Sequence, residues 1–226
     1  STKEDQQLYQ FPPCDPWADK EKLEREKEVV GVYVSEHPLG MYRKQVAWFD
    51  LKPFIVPSGA HGSEPVVTGI GMVKSRRDIV TKKGDRMSFV VVEDHVGNKA
   101  ELVVFPSVFK VIEKWIGEYH VFVIKGNLDL ATEKICKVKV NQMVPIELVF
   151  SHWPNIGVFE LDLGKNCCPE KVEQIKSLMV PGTIPLYIMF EENDKKLVLE
   201  AKTTISVSCD MLTVLHESHI GIRIAL

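Results

Sequence analysis

Apolar and polar positions alternate in three different rhythms along this chain, and each rhythm predicts a different kind of structure. After a polar lead, Asp15 is placed to cap a helix, with Pro16 at its first position and Asp19 facing the positive end of the helix dipole. Charges alternate from Asp19 to Glu28, and apolar residues return at Leu23, Val30, Tyr33 and Val34. That spacing is a narrow stripe on one helix face, and His37-Pro38 ends it. The plain expectation is a solvated helix packed along one edge. A second short amphipathic piece follows over 39–48. Residues 52–65, with Pro53, Pro57, Gly59, Gly62 and Pro65, are turn-rich and read as a linker.

From Val66 the rhythm shortens to runs of β-branched and aromatic residues between turn signals. Strands are expected over 66–74, 87–93, 100–105, 119–129 and 135–143, with a helix over 107–116 capped by Ser107. Three strands, a helix and two strands is the order of an OB-fold, a Greek-key barrel that often binds oligonucleotides. Phe105, Phe109, Phe122 and Trp115 are expected in its core. Beyond Val149 helices and strands interleave: strand 158–163, helix 169–179, strands 183–190 and 196–201 around Asn193-Asp194, a helix capped by Ser208 or Asp210, and a strand over 220–225. The fold class expected is α+β and multi-domain. It comprises a helical and linker segment (1–58), a five-stranded OB-fold β-barrel (59–147) and a small C-terminal α/β domain with a mixed sheet (148–226).

Composition narrows the function classes. At 226 residues and 45% hydrophobic content the chain can bury a core, and its net charge of -3 supplies no global basic field for nucleic acid. Any DNA contact has to come from a local patch. Apolar runs fall short of the roughly 18 residues a membrane span needs, so no membrane partner and a soluble protein are expected. The opening Ser1-Thr2-Lys3-Glu4-Asp5 carries no targeting signal and reads as the start of an excised fragment. Cys14, Cys136, Cys167, Cys168 and Cys209 form no CxxC pair, which points away from disulfides and zinc and toward a reducing cytoplasm.

The local patch is found between the first two barrel strands, where Lys74, Arg76, Arg77, Lys82, Lys83 and Arg86 face only Asp78 and Asp85. Cations on one barrel loop would track a phosphate backbone and make binding salt-dependent. The plainer alternative is a solvated hairpin turn at Lys82-Lys83-Gly84-Asp85. Phe89 is the best candidate for base stacking, but both faces of 87–92 are apolar, so the period does not decide between core and platform. Backbone tracking with little sequence preference is the resulting expectation. Gly69-Ile70-Gly71 lacks the helix and third glycine of a dinucleotide site, and strand curvature explains it better. The seven histidines are scattered, Glu93-Asp94 and Glu191-Glu192 read as solvated pairs, and no nucleophile motif is present. No active site, metal site or cofactor is expected in this chain.

Three stretches in register resemble the C-terminal region of the bacterial DNA polymerase III alpha subunit. The first runs from Glu24 through Ser35-Glu36-His37-Pro38-Leu39, with Glu36 where that family usually has glycine. The second is Thr81-Lys82-Lys83-Gly84-Asp85-Arg86-Met87 followed by Val92-Glu93-Asp94, Gly97 and Glu101 to Phe105. The third is Gly182-Thr183-Ile184-Pro185-Leu186. The resemblance implies a non-catalytic part of a DNA-directed DNA polymerase whose catalytic carboxylates, which would use Mg2+, lie in an upstream domain. It further implies an OB-fold that contacts single-stranded template DNA and a tail domain that binds the clamp-loader tau subunit. The sliding clamp is a further candidate partner: Gln7-Leu8-Tyr9-Gln10-Phe11 looks superficially like a clamp peptide, but Gln10 replaces the apolar anchor and the segment is assigned to the linker. His219-Ile220-Gly221-Ile222-Arg223-Ile224 occupies the place of a second such peptide, making His219, Ile220, Ile222 and Ile224 the candidate docking residues, against the plainer reading of a buried edge strand. A stand-alone single-strand-binding protein, an anticodon-binding domain and a purely protein-docking barrel are the competing readings.

Overall fold

The structure, a computed structural model, describes residues 25, 29, 38–56, 64–130, 135–154, 156–165, 168–192 and 195–226. Contacts divide the chain into two compact units, Ser1–Gly40 and Met41–Leu226. In the first, Arg25 and Val29 are helical, and the rest of the expected helix lies outside the described residues, as does the Gln7–Phe11 segment.

The second unit opens with a short helix, α1 (Arg43–Trp48), and then builds the barrel from β1 (Val66–Val80), β2 (Arg86–Asp94), β3 (Lys99–Val104), β4 (Val121–Asp129) and β5 (Cys136–Pro145), with α2 (Pro106–Ile112) between β3 and β4. The strands close in the order β1-β2-β3-β5-β4, antiparallel except for the seam of β3 on β5, which is parallel. This is the OB-fold topology. Alternation sends Val90, Val92, Leu102, Val104, Val138 and Val140 into the interior, all essentially without exposure.

Two expectations shift at this level. β1 runs to Val80 instead of ending at Lys74, because the tight turn of Thr81–Asp85 sets a register that keeps Val80 opposite Arg86. In that turn the Thr81 amide donates to the Asp85 carbonyl (2.8 Å), and Gly84 takes the left-handed φ of +85°. α2 starts at Pro106, whose missing N–H costs nothing in the first turn, so Ser107 lies inside the helix and no side chain caps it.

The stretch read as linker starts as part of the barrel. The Lys52 amide donates to the Thr68 carbonyl (2.8 Å), and Leu51 and Phe54 are buried. Gly69 makes room for this: a Cβ there would sit 2.6 Å from the Lys52 carbonyl oxygen and 2.8 Å from the Phe54 ring. Close approach, more than curvature, is what its glycine serves.

The tail follows a short helix, α3 (Val149–His152). It consists of β6 (Val158–Asp162), α4 (Pro169–Leu178), β7 (Val180–Ile184), β8 (Leu186–Glu192), β9 (Lys195–Glu200), β10 (Ile205–Ser206), α5 (Cys209–Glu217) and β11 (Gly221–Ala225). Its main sheet is mixed, in the order β11-β6-β8-β9, with β6 parallel to β8; β7 and β10 form a separate pair. The single strand expected over 183–190 is split at Pro185, which has no N–H for a ladder and leaves its flanks to different sheets. Ser208 caps α5, its Oγ accepting from the Met211 amide at 3.2 Å. Phe159, Leu161, Leu212, Leu215 and Ile224 form the tail core. Lys125 of β4 donates to the Leu226 carbonyl at 3.0 Å, a polar tie between barrel and tail. Among the described residues no helix is long and apolar enough to cross a membrane.

Candidate nucleic-acid interface

The β1–β2 hairpin extends past the closed barrel, and its alternation sorts the six predicted cations onto different sides. Residues opposite one another in an antiparallel pair share a face. Arg76 lies opposite Val90, Asp78 opposite Ser88, and Val80 opposite Arg86, so these follow the interior-facing side of the sheet outward. Arg76 and Arg86 hold their guanidinium carbons 5.4 and 5.2 Å from the centre of the Phe109 ring in α2. Asp78 sits between them. It accepts from Arg76 Nε at 2.6 Å and from Ser88 Oγ at 2.8 Å, and lies 3.5 Å from Arg86, which also pairs with Glu113 just past α2. The hydrogen bond from Arg76 holds the Asp78 carboxyl below its ordinary range, and the same bond raises the Arg76 pKa. Lys74 is likewise engaged, 3.3 Å from Glu93. Three of the predicted DNA-binding cations are therefore committed to internal ion pairs, and two of them clasp the hairpin to α2.

On the outer face the picture differs. Arg77 lies opposite Phe89, its guanidinium carbon 5.0 Å from the ring centre. Phe89 points away from the core, since its neighbours Ser88 and Val90 are the fully buried ones, and it is joined on that face by Val91 and by Val103 of β3. The ambiguity left by the apolar run is thus decided for the surface. Phe105 corrects an expectation: it is 43% exposed, not core, and its extended backbone (φ -69°, ψ 162°) keeps it on the side of Val103. Phe109, Phe122 and Trp115 are buried as expected. Lys82 and Lys83 stand exposed at the hairpin tip and make no ion pair among the described residues.

Two cations on the same outer face were missed. Lys137 and Lys139 of β5 face outward in alternation with the buried Val138 and Val140, and that alternation was the available signal. Lys139 pairs with Glu64 and lies 3.9 Å from Asp129, and Lys137 lies 3.8 Å from Glu101. The acidic pair Glu93-Asp94 is also not simply solvated: Asp94 is fully buried, accepting from the Val96 and Asn98 amides at 3.0 and 2.8 Å.

The candidate docking residues fall in and beside β11, in a sheet separate from the barrel. Ile220 and Ile224 are buried in the tail, leaving the exposed His219, at a left-handed φ of +58°, and the half-buried Ile222. Among the described residues no three His, Cys, Asp or Glu side chains gather into a group that could hold a metal.

No family model matches the chain. It is similar to the DNA polymerase III subunit alpha of Halalkalibacterium halodurans, with 28% identity over 206 residues that cover 90% of this chain and 18% of that protein. The same subunit of Escherichia coli is 21% identical over 213 residues, covering 91% of this chain and 18% of that protein. That of Staphylococcus aureus is 33% identical over 128 residues, covering 54% and 11%. The chain spans less than a fifth of the length of these curated relatives.

Proposed function

From this similarity to DNA polymerase III alpha subunits, we propose that the chain serves DNA replication in a cytoplasmic polymerase of that kind. In this reading its OB-fold binds single-stranded template DNA and its tail docks the clamp-loader tau subunit, while nucleotidyl transfer is carried out elsewhere in the longer protein. The observation that carries the DNA half is the outward Arg77–Phe89 stack on the hairpin whose exposed tip carries Lys82 and Lys83, lysines with no ion pair among the described residues. A phenylalanine face accepts any base, and a guanidinium behind it adds cationic character without reading sequence. Exposed Phe105 extends the apolar surface in the same direction. Binding should therefore combine stacking with backbone tracking, and show little sequence preference.

Fluorescence anisotropy with a labelled oligo-dT at two salt concentrations tests this. Phe89→Ala should weaken binding by about 1–3 kcal/mol, and joint alanine replacement of Arg77, Lys82 and Lys83 should flatten the salt dependence. Arg86 is left out of that variant, since its pairing with Glu113 and Asp78 belongs to the fold. Binding unchanged in both variants would remove this face from the DNA path. For the tail, deletion of residues 219–226 would take Ile220 and Ile224 out of the core. Tau capture is better probed by His219→Ala with Ile222→Ala, where undiminished capture counts against this edge.

A further inference from the structure

The far edge of the tail sheet, β9, has no further strand beside it among the described residues. Every described side chain of β9 is exposed, including Leu197 at 40%, Val198 at 56% and Leu199 at 56%, and among the described residues β9 pairs only with β8. Edge strands are normally blunted by charge, proline or a bulge, because their free N–H and C=O groups invite another strand. Here three consecutive apolar residues occupy the middle of the edge.

The ladder tells which backbone groups are free. Ala201 donates to the Leu186 carbonyl (2.9 Å), whereas on the other side of β8 Leu163 donates to Met189 (2.8 Å) and Glu191 to Gly164 (3.0 Å). Even-numbered residues of β8 thus turn their main-chain groups toward β9. Their partners, Leu199 opposite Ile188 and Leu197 opposite Phe190, turn theirs back. The N–H and C=O groups of Lys196, Val198 and Glu200 therefore point outward from the sheet, and none has a partner among the described residues.

We infer that β9 pairs antiparallel with β9 of a second copy of this chain, about a twofold axis at Val198. In that register the three outward-facing residues of each copy meet one another. Val198 meets Val198, Lys196 meets Glu200 of the second copy, and Glu200 meets its Lys196. Leu197 comes opposite Leu199 on the other face, so apolar side chains meet across the seam on both faces. Shifting the register by two residues in one direction sets Lys196 against Lys202, and in the other sets Glu200 against Asp194, like charges in both cases. Only the centred register matches both the hydrogen-bonding groups and the charges, and it is isologous, as a closed dimer requires. The product is one continuous sheet running through two tails.

A single strand pair buries less than roughly 1,000 Å², so the dimer should be weak, with a dissociation constant of about 10–100 µM. Sedimentation velocity of the 226-residue chain from low micromolar to several hundred micromolar reads it. Lys196→Glu alone and Glu200→Lys alone each place like charges opposite one another twice, and each should weaken association about tenfold. Mixed in equal amounts, the two variants should form a heterodimer, since every opposing pair becomes complementary. Val198→Pro should give a monomer with an unchanged far-UV spectrum, because the amide it removes faces away from β8. A wild-type chain that stays monomeric throughout overturns the inference. So does a dimer that tolerates both single charge reversals, or a mixture that associates no better than its components.

Discussion

The carboxylate of Asp94 accepts the main-chain N–H of Phe54 at 2.9 Å, joining the end of β2 to a segment 40 residues earlier in the chain. The same oxygen accepts from Asn98 Nδ2 at 3.1 Å while the other takes two turn amides, so one buried carboxylate organises both the β2–β3 turn and the entry to the barrel. Asp94→Ala leaves these donors without their acceptor and should lower unfolding stability by about 3 kcal/mol. Denaturant titration checks this, and a loss below about 0.5 kcal/mol would show that water replaces the carboxylate.

The sorting of cations in the hairpin predicts opposite consequences for residues that look alike in sequence. Arg86→Ala removes the ion pair to Glu113 and one of the two guanidiniums on Phe109, and should cost about 1–2 kcal/mol of stability. Lys82→Ala, at the exposed tip, should change stability by less than about 0.5 kcal/mol while weakening DNA binding. Thermal melts alongside the anisotropy measurement separate the two.

Acid should loosen this clasp. The Asp78 carboxyl is held below its ordinary value of 3.8, first by the hydrogen bond from Arg76. A depressed pKa contributes stability above the unfolded value, and that contribution drains away as pH falls below 3.8 and through the folded pKa. Asp78→Asn should remove that part of the acid dependence. Denaturation midpoints measured between pH 6 and about pH 2 for both proteins would reveal it, and parallel curves would exclude Asp78 as a contributor.

Cys136, opposite Ala100 across the parallel seam, has its thiol pushed up to about 11, mainly by burial and secondarily by the Asp94 charge. It should alkylate at pH 8 at least tenfold more slowly than an unperturbed thiol, as thiolate is the reactive form. Peptide-resolved mass spectrometry after a timed iodoacetamide pulse measures this. Rapid labelling in the folded protein would contradict it.

What the sequence made legible follows from where local pattern carries information. The five barrel strands and the helix between them were readable because β-branched runs and turn residues punctuate them at nearly every boundary. The outward orientation of Phe89 was not, because Val90 and Val91 on either side of the alternation are equally apolar. The deciding charge sits on the neighbouring strand, where Glu101 alternates with Leu102. Lys137 and Lys139 could have been found from β5 alone. Asp94 illustrates the other limit: the Asp94-to-Gly97 spacing hints at a turn, but nothing near Asp94 foretells a bond to Phe54. Likewise the split at Pro185 was available from proline chemistry, whereas the destination of β7 on β10 depends on Ile205 and Ser206, far along the chain from their partners Pro181 and Val180.

The parallel seam between β3 and β5 governs the order in which a growing chain can become complete. When β1, β2 and β3 have emerged, they can zip into a meander, yet β1 and β3 each still present an open edge. β4 closes only one of them. The other stays open until β5 arrives and slots between β3 and β4, so the last barrel strand made is the one that finishes the cylinder. Until the ribosome has released that strand, the chain carries a long unpaired border of the kind that nascent proteins must keep from strangers.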